Sequence, residues 1–230
     1  MSVQAKSNSG KVGSIACMTA SVLANLALAL GLACAWPLDA QTVDVAPLLK
    51  GIEQHYNNSQ TLELNFVETY TARGRKRTER GTLTLRKPGR MRWAYSDGKL
   101  FVSDGSIIFS YDPAQKRAEK MRFKDTEDMR APLAFLLGKL DFQRDFREFR
   151  ASREGGDASI IATPKSGKLP YAEVAFLAGS DFTIRRLTIK NEDNSTLEFQ
   201  LDGEKRNPSV ADALFRFTPP PGVEVVDATR

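Results

Sequence analysis

Residue types that perform covalent chemistry are scarce in this chain. It has one histidine, His55, and two cysteines, Cys17 and Cys34. His55 falls in the last turn of a predicted helix, where a cation or donor suits the C-terminal end, so a structural role is expected of it. Ser103-Asp104-Gly105 reads as a turn with no histidine partner for a triad. Glycines stand singly at turns, which leaves no phosphate-binding loop. The acid pairs Glu127-Asp128 and Glu192-Asp193 fall in loop-like runs, and a glycosidase using two distant acids stays open as an alternative. No cofactor and no metal site follow from these residues. The chain is therefore expected not to be an enzyme.

The residues with the clearest arrangement suit binding. In the stretch Arg86 to Tyr95, Met91, Trp93 and Tyr95 alternate with Arg90 and Arg92. Leu83 and Leu85 precede them with the same parity, so a strand without a bulge at Pro88-Gly89 places all five on one face. Lys87 would be the one cation on that face, while Arg86, Arg90 and Arg92 would point to water. Phe101, Ile107, Phe109 and Tyr111 are expected to extend the apolar row. An ordinary core explains any one of these residues. Together they suit a pocket for an apolar ligand, roofed by the Leu-rich stretch 133–140.

The elements that must position this row follow an unusual N-terminus. Residues 1–14 are polar with Lys6 and Lys11 the only charges, Ile15 to Cys34 carries none, and Leu38-Asp39-Ala40 precedes Gln41. This is the order of a secretory signal, and cleavage after Ala40 is the reading adopted. The alternatives are an anchoring helix, for which about 20 apolar residues suffice, and lipidation of Cys34, where Gly31 stands in place of the usual Leu. Cleavage removes both cysteines and leaves a chain of about 190 residues (41–230) that can bury a core as one domain without a disulfide. The net charge of +5 falls to +4 without residues 1–40. That mild basicity suits a solvated surface of mixed charge and argues against nucleic-acid binding.

Asp44 can cap a helix over Val45–Tyr56, with Leu48, Leu49, Ile52 and Tyr56 at helical spacing. Leu62, Leu64, Phe66, Glu68 and Tyr70 then alternate as in a strand. Arg73, Arg75, Lys76, Arg77 and Arg80 form a basic turn, either a solvated hairpin tip or a docking surface for an acidic partner. Asp97-Gly98 and Asp104-Gly105 are hairpin signals. A second helix begins at Pro132, and Asp141–Arg150 is charged with Phe142, Phe146 and Phe149 interleaved. The rest reads as a meander through 158–163, 171–177, 182–190 and 196–203, ending in a strand at 223–226. About ten strands in hairpin order and two main helical pieces predict a mainly β, α+β domain. The expected architecture is one strongly curved antiparallel sheet with helices against its concave face.

The order of motifs resembles a known family. An exported N-terminus and short helix precede Gly81-Thr82-Leu83-Thr84-Leu85-Arg86-Lys87-Pro88, Met91-Arg92-Trp93, Val102-Ser103-Asp104-Gly105 and Tyr111-Asp112-Pro113. Phe215-Arg216-Phe217-Thr218-Pro219-Pro220-Pro221-Gly222-Val223 closes the chain. This is similar to the LolA family of periplasmic outer-membrane lipoprotein carriers, over about Val45 to Asp227. The resemblance implies an incomplete antiparallel β-barrel with an α-helical lid over an apolar cavity, working as a periplasmic chaperone. It implies a cavity lined by Phe66, Leu83, Leu85, Met91, Trp93 and Phe109, and a lid that includes Leu133, Leu136 and Leu137. Lys87 stands where relatives often have an arginine that clasps the lid through backbone oxygens, and a lysine lacks that planar fork. Thr84 and Met91 stand where relatives can be aromatic. The implied partners are acylated lipoproteins, an inner-membrane ABC-type lipoprotein-releasing complex and an outer-membrane lipoprotein acceptor, with the carrier a monomer and no cofactor. Two other roles share the fold: a lipid-anchored outer-membrane acceptor, which needs an acylated Cys34, and an envelope lipoprotein-sensing module.

Overall fold

The computed structural model describes residues 44–123, 140–165 and 171–229. The chain divides into two units at Leu38/Asp39, and every described residue lies in the second. Helix α1 (Val45–Asn57) begins where Asp44 Oδ1 accepts from Ala46 N at 3.2 Å. Leu49, Ile52 and Tyr56 recur at helical spacing and are its buried residues. No helix among the described residues is long and apolar enough to cross a membrane.

Among the described residues, twelve strands form one open, curved sheet. They are β1 (Thr61–Ala72), β2 (Arg75–Arg86), β3 (Arg90–Tyr95), β4 (Leu100–Asp104), β5 (Ile107–Asp112), β6 (Arg117–Arg122), β7 (Phe146–Glu154), β8 (Asp157–Pro164), β9 (Tyr171–Ala178), β10 (Ile184–Asn191), β11 (Thr196–Arg206) and β12 (Glu224–Asp227). Their spatial order is β12-β6-β5-β4-β3-β2-β1-β11-β10-β9-β8-β7. Every neighbouring pair is antiparallel except β12 and β6, which run parallel. The sheet thus matches the expected meander with two differences. Asp141–Arg150 resolves into the one-turn helix α2 (Phe142–Asp145) and the edge strand β7. Its heavy charge hid the strand, because one face of an edge strand is free to be polar. The final strand does not continue the meander but returns to the opposite edge, beside β6.

Loop length decides which side chains share a face. The three-residue turn Lys87-Pro88-Gly89 (cis at Lys87–Pro88) pairs Leu85 with Met91 and Leu83 with Trp93. No bulge intervenes, and the odd parity survives. The loop from Tyr95 to Lys99 also keeps it, so Phe101 lies opposite Trp93. Gly105-Ser106 is a two-residue loop, which pairs Ser103 with Ile108 and Val102 with Phe109. An even loop inverts parity, so Ile108, not Ile107 or Phe109, faces the core on β5. At the β1–β2 tip, Arg73 and Gly74 both take positive φ (49° and 75°), the twist a two-residue hairpin requires. The cations there are all exposed, and Arg77 pairs with the partly covered Glu79 at 3.2 Å.

One main core lies between α1 and the sheet face it covers, here the inner face. The outer face of β2–β5 is also covered. The segment after β11 passes a 3-10 turn (Asp212–Phe215) and runs across that face before joining β6 as β12. Arg86, Arg90 and Arg92 do point away from the inner row, and they meet this segment, Arg86 largely covered by it and Arg90 still partly in water. Arg86 Nη2 lies 2.6 Å from Asp212 Oδ1, Arg86 Nη1 donates to Val210 O at 3.3 Å, and the guanidinium sits 4.8 Å from the Phe215 ring centroid. Arg92 Nη1 donates to Leu214 O at 3.3 Å, and Arg90 lies 3.8 Å from Asp212. Phe215 is buried, yet outside the main core.

Candidate functional site

The inner face of β1–β4 carries an aromatic row. Phe66 on β1 sits at its centre, edge-on to Trp93 (centroids 4.9 Å apart) and to Tyr95 (5.1 Å). Trp93 then meets Phe199 of β11 at 5.5 Å. Gly81 makes this possible: it pairs with both Phe66 and Tyr95, and a Cβ there would lie 2.9 Å from the Phe66 ring and 2.1 Å from Ala94 O. Leu83, Leu85, Met91, Phe101 and Ile108 flank the row, all buried. The structure therefore brings five of the expected lining residues, Phe66, Leu83, Leu85, Met91 and Trp93, onto one face.

Phe109 is not among them. It lies on the outer face with Tyr111, their rings 5.2 and 5.3 Å from Phe217 of the C-terminal segment. Thr84 is also on the outer face, opposite Arg92. The two-residue loop after Asp104 is the physical reason for Phe109, and Asp104-Gly105 was the signal from which that inversion is legible. Leu133, Leu136 and Leu137 lie outside the described residues. A second aromatic cluster escaped sequence reasoning. Phe142 of α2 stacks on Phe176 of β9 (5.2 Å, 17°), with Phe146 and Phe149 6.2 and 6.4 Å from it.

Polar groups around the row are mostly engaged. Tyr95 Oη donates to Glu68 at 2.8 Å, a buried pair on the inner face. Trp93 is the exception. It is 1% exposed and Nε1 has no acceptor among the described residues. A buried donor left unmade costs about 1–3 kcal/mol.

The C-terminal end of α1 is held from three sides. Lys87 Nζ donates to Tyr56 O at 2.7 Å and to Asn57 O at 3.4 Å. These are carbonyls of the last turn, which lack partners within the helix, and a cation there also suits the dipole. Partial burial holds the Lys87 pKa below the usual lysine value. Tyr56 Oη donates to Glu204 at 2.9 Å and accepts from Ile184 N at 2.8 Å, while His55 Nε2 lies 2.6 Å from the same carboxylate. Burial first, then the charge of Glu204, pushes the Tyr56 pKa well up. His55 thus anchors a helix to β11. Asn57 exchanges two hydrogen bonds with the backbone of Leu140, 2.8 and 2.7 Å, and Glu53 accepts from Phe142 N at 2.7 Å. Among the described residues no group of three or more His, Cys, Asp or Glu side chains is placed to hold a metal ion.

This arrangement offers an apolar, aromatic face suited to hydrocarbon and a helix pinned at its C-terminal end. Known proteins with similar sequences share the region. The outer-membrane lipoprotein carrier protein of Dechloromonas aromatica is 29% identical over 174 residues, covering 74% of this chain and 82% of that protein. The carrier of the same name from Chromobacterium violaceum is 27% identical over 208 residues, 89% of this chain and 96% of that one. A crystal structure of a LolA superfamily protein from Nitrosomonas europaea aligns with a TM-score of 0.43 at 8% identity, over 75% of this chain and 97% of that one. The family described as "Outer membrane lipoprotein carrier protein LolA" matches residues 57–218, a span holding β1 to β11, the aromatic row and Lys87. On that match the chain belongs to the LolA family.

Proposed function

We propose that this protein is a non-enzymatic carrier that shelters the acyl chains of lipoproteins in the periplasm. The observation that supports this most is the continuous inner row of Phe66, Trp93 and Phe199 with Leu83, Leu85 and Met91 beside it, under α1. The printed names of its relatives point to the same cargo. In this reading the chain is exported, cleaved after Ala40 and left as one domain of residues 41–230. An inner-membrane ABC-type complex loads it and an outer-membrane acceptor receives the cargo. Leu133, Leu136 and Leu137 are assigned to the lid, and Lys87 is its clasp, acting through the Tyr56 and Asn57 carbonyls.

Energetics explain why such a carrier needs a movable cover. Burying acyl chain gains about 0.8 kcal/mol per methylene, on the order of 12 kcal/mol for a sixteen-carbon chain. A rigid open cavity of that strength would not let go. A cavity that is open for only a fraction of the time binds more weakly by that fraction, and release becomes possible.

Export and cleavage would leave Trp93 as the one tryptophan, since Trp36 lies before Ala40. The test is emission of the exported protein titrated with an acylated peptide bearing a brominated chain. Quenching by contact is the expected result. A peptide that binds while Trp93 stays unquenched would show that the inner row is not the acyl site. The N-terminal residue of the same preparation, expected to be Gln41, checks the processing.

A further inference from the structure

We infer that the Trp93 indole N–H is a polar anchor for the carbonyl oxygen of an acyl chain, ester or amide, bound on the inner face. This rests on the carrier reading and assigns the row a chemical preference that hydrophobicity alone cannot supply.

The position of the donor carries the argument. Trp93 lies mid-sheet, paired with Leu83 on one side and Phe101 on the other. The backbone carbonyls around it belong to strand ladders, so the sheet has little acceptor capacity left on that face. Side-chain acceptors nearby are engaged: Glu68 with Tyr95 at 2.8 Å, and Ser103 Oγ with Gly105 N at 3.0 Å. From α1 the core receives Leu49, Ile52 and Tyr56, and Tyr56 Oη already holds Glu204 and Ile184 N. The rings of Phe66 and Phe199 are the aromatic neighbours, and a ring face is only a weak acceptor.

The contrast with Tyr95 sharpens the point. Both aromatics lie on the inner face of β3, two residues apart, and the polar atom of Tyr95 is satisfied within the protein. That of Trp93 is not. Buried donors in folded proteins have partners with few exceptions, and an exception calls for a function. A bound acyl chain brings hydrocarbon, which the row accepts, and one strong acceptor, its carbonyl. An alkyl chain without a carbonyl would leave the indole donor unmatched. The row would therefore favour acyl over alkyl lipids, and Trp93 would set how deeply the chain seats.

The experiment compares three probes on the full chain by calorimetry: dioctanoylglycerol (ester), N-octyloctanamide (amide) and dioctylglycerol (ether, no carbonyl). The Trp93→Phe variant, checked for folding by thermal melting, keeps an aromatic side chain and removes the donor. Wild type should favour the carbonyl probes over the ether relative to Trp93→Phe, by about two- to tenfold, the factor expected of one net hydrogen bond. The larger of the ester and amide ratios identifies the linkage preferred. Independently of any change at Trp93, its 15N-labelled indole proton should move downfield with the carbonyl probes and not with the ether. Trp36→Phe assigns that resonance. Equal ester-to-ether ratios in both proteins, or a failed variant together with an unmoved indole proton, overturn the anchor and leave the carrier reading intact. Failure of every probe to bind wild type overturns both.

Discussion

Strands β2 to β5 are covered on both faces, and the two covers differ in kind. The inner face belongs to the apolar core of Leu, Phe, Trp and Met side chains that α1 joins through Leu49, Ile52 and Tyr56. The outer face meets the chain's own C-terminal segment, through Arg86 and Arg92 hydrogen bonds to carbonyls, an ion pair to Asp212, and the rings of Phe215 and Phe217. Hydrophobic burial has no preferred direction, so in the proposed carrier the inner face is the one that would exchange one apolar partner for another. Guanidinium contacts to named carbonyls and a carboxylate are directional and suit one permanent partner. One sheet thus separates an apolar surface from a directionally bonded one by side-chain parity.

The largest effect expected from breaking this contrast comes from the inner row. Phe66→Ala removes a buried ring that touches Trp93 and Tyr95 and should cost about 3–5 kcal/mol in denaturant unfolding. A cost below about 1 kcal/mol would mean the row is already loosely packed. Next is Lys87→Leu, which removes the cation from the end of α1. It should cost about 1 kcal/mol, leave the fold intact and raise binding of an apolar dye. An unchanged dye signal in the folded variant would count against a role for Lys87 in keeping the inner face covered.

The smallest effect lies on the outer face and in acid. The Arg86 guanidinium, by hydrogen bond first and charge second, holds the Asp212 pKa below its usual 3.8. Its contribution is present above pH 3.8 and is lost as pH falls through the lowered value. Asp212→Asn should therefore lower stability slightly at neutral pH and leave the low-pH end nearly unchanged, which flattens the acid limb of the stability profile. An acid limb identical to that of the wild type would assign the Arg86 contact to Phe215 and Val210 alone.

Local pattern made much of this legible. Odd parity placed Leu83, Leu85, Met91 and Trp93 on one face, and even parity placed Leu62, Leu64 and Phe66 on one face of their own strand, because a strand alternates whatever surrounds it; the β1–β2 register joins the two sets. Asp44 and the spacing of Leu49, Ile52 and Tyr56 announced α1 for a similar reason. Phe109 needed one more step, the count of residues in a loop. Other features had no local signal. The arginines of β2 and β3 read as solvated because nothing in their own stretch names the segment more than 100 residues later that covers them. The destination of β12, parallel to β6 at the far edge, follows from that segment's path across the outer face and not from any turn motif. The solitary state of the Trp93 donor depends on which acceptors six other elements had already consumed.

By itself, then, the amino-acid sequence determined most of the strands, the sidedness of the apolar row as far as Phe101 and the family, since these rest on interactions between residues close in the chain. Tertiary structure alone decided what covers each face, which helix end Lys87 holds and that Trp93 keeps an unused donor. Those outcomes depend on partners brought together from distant parts of the chain, and a periodic pattern records a residue's side of the sheet without recording what will meet it there.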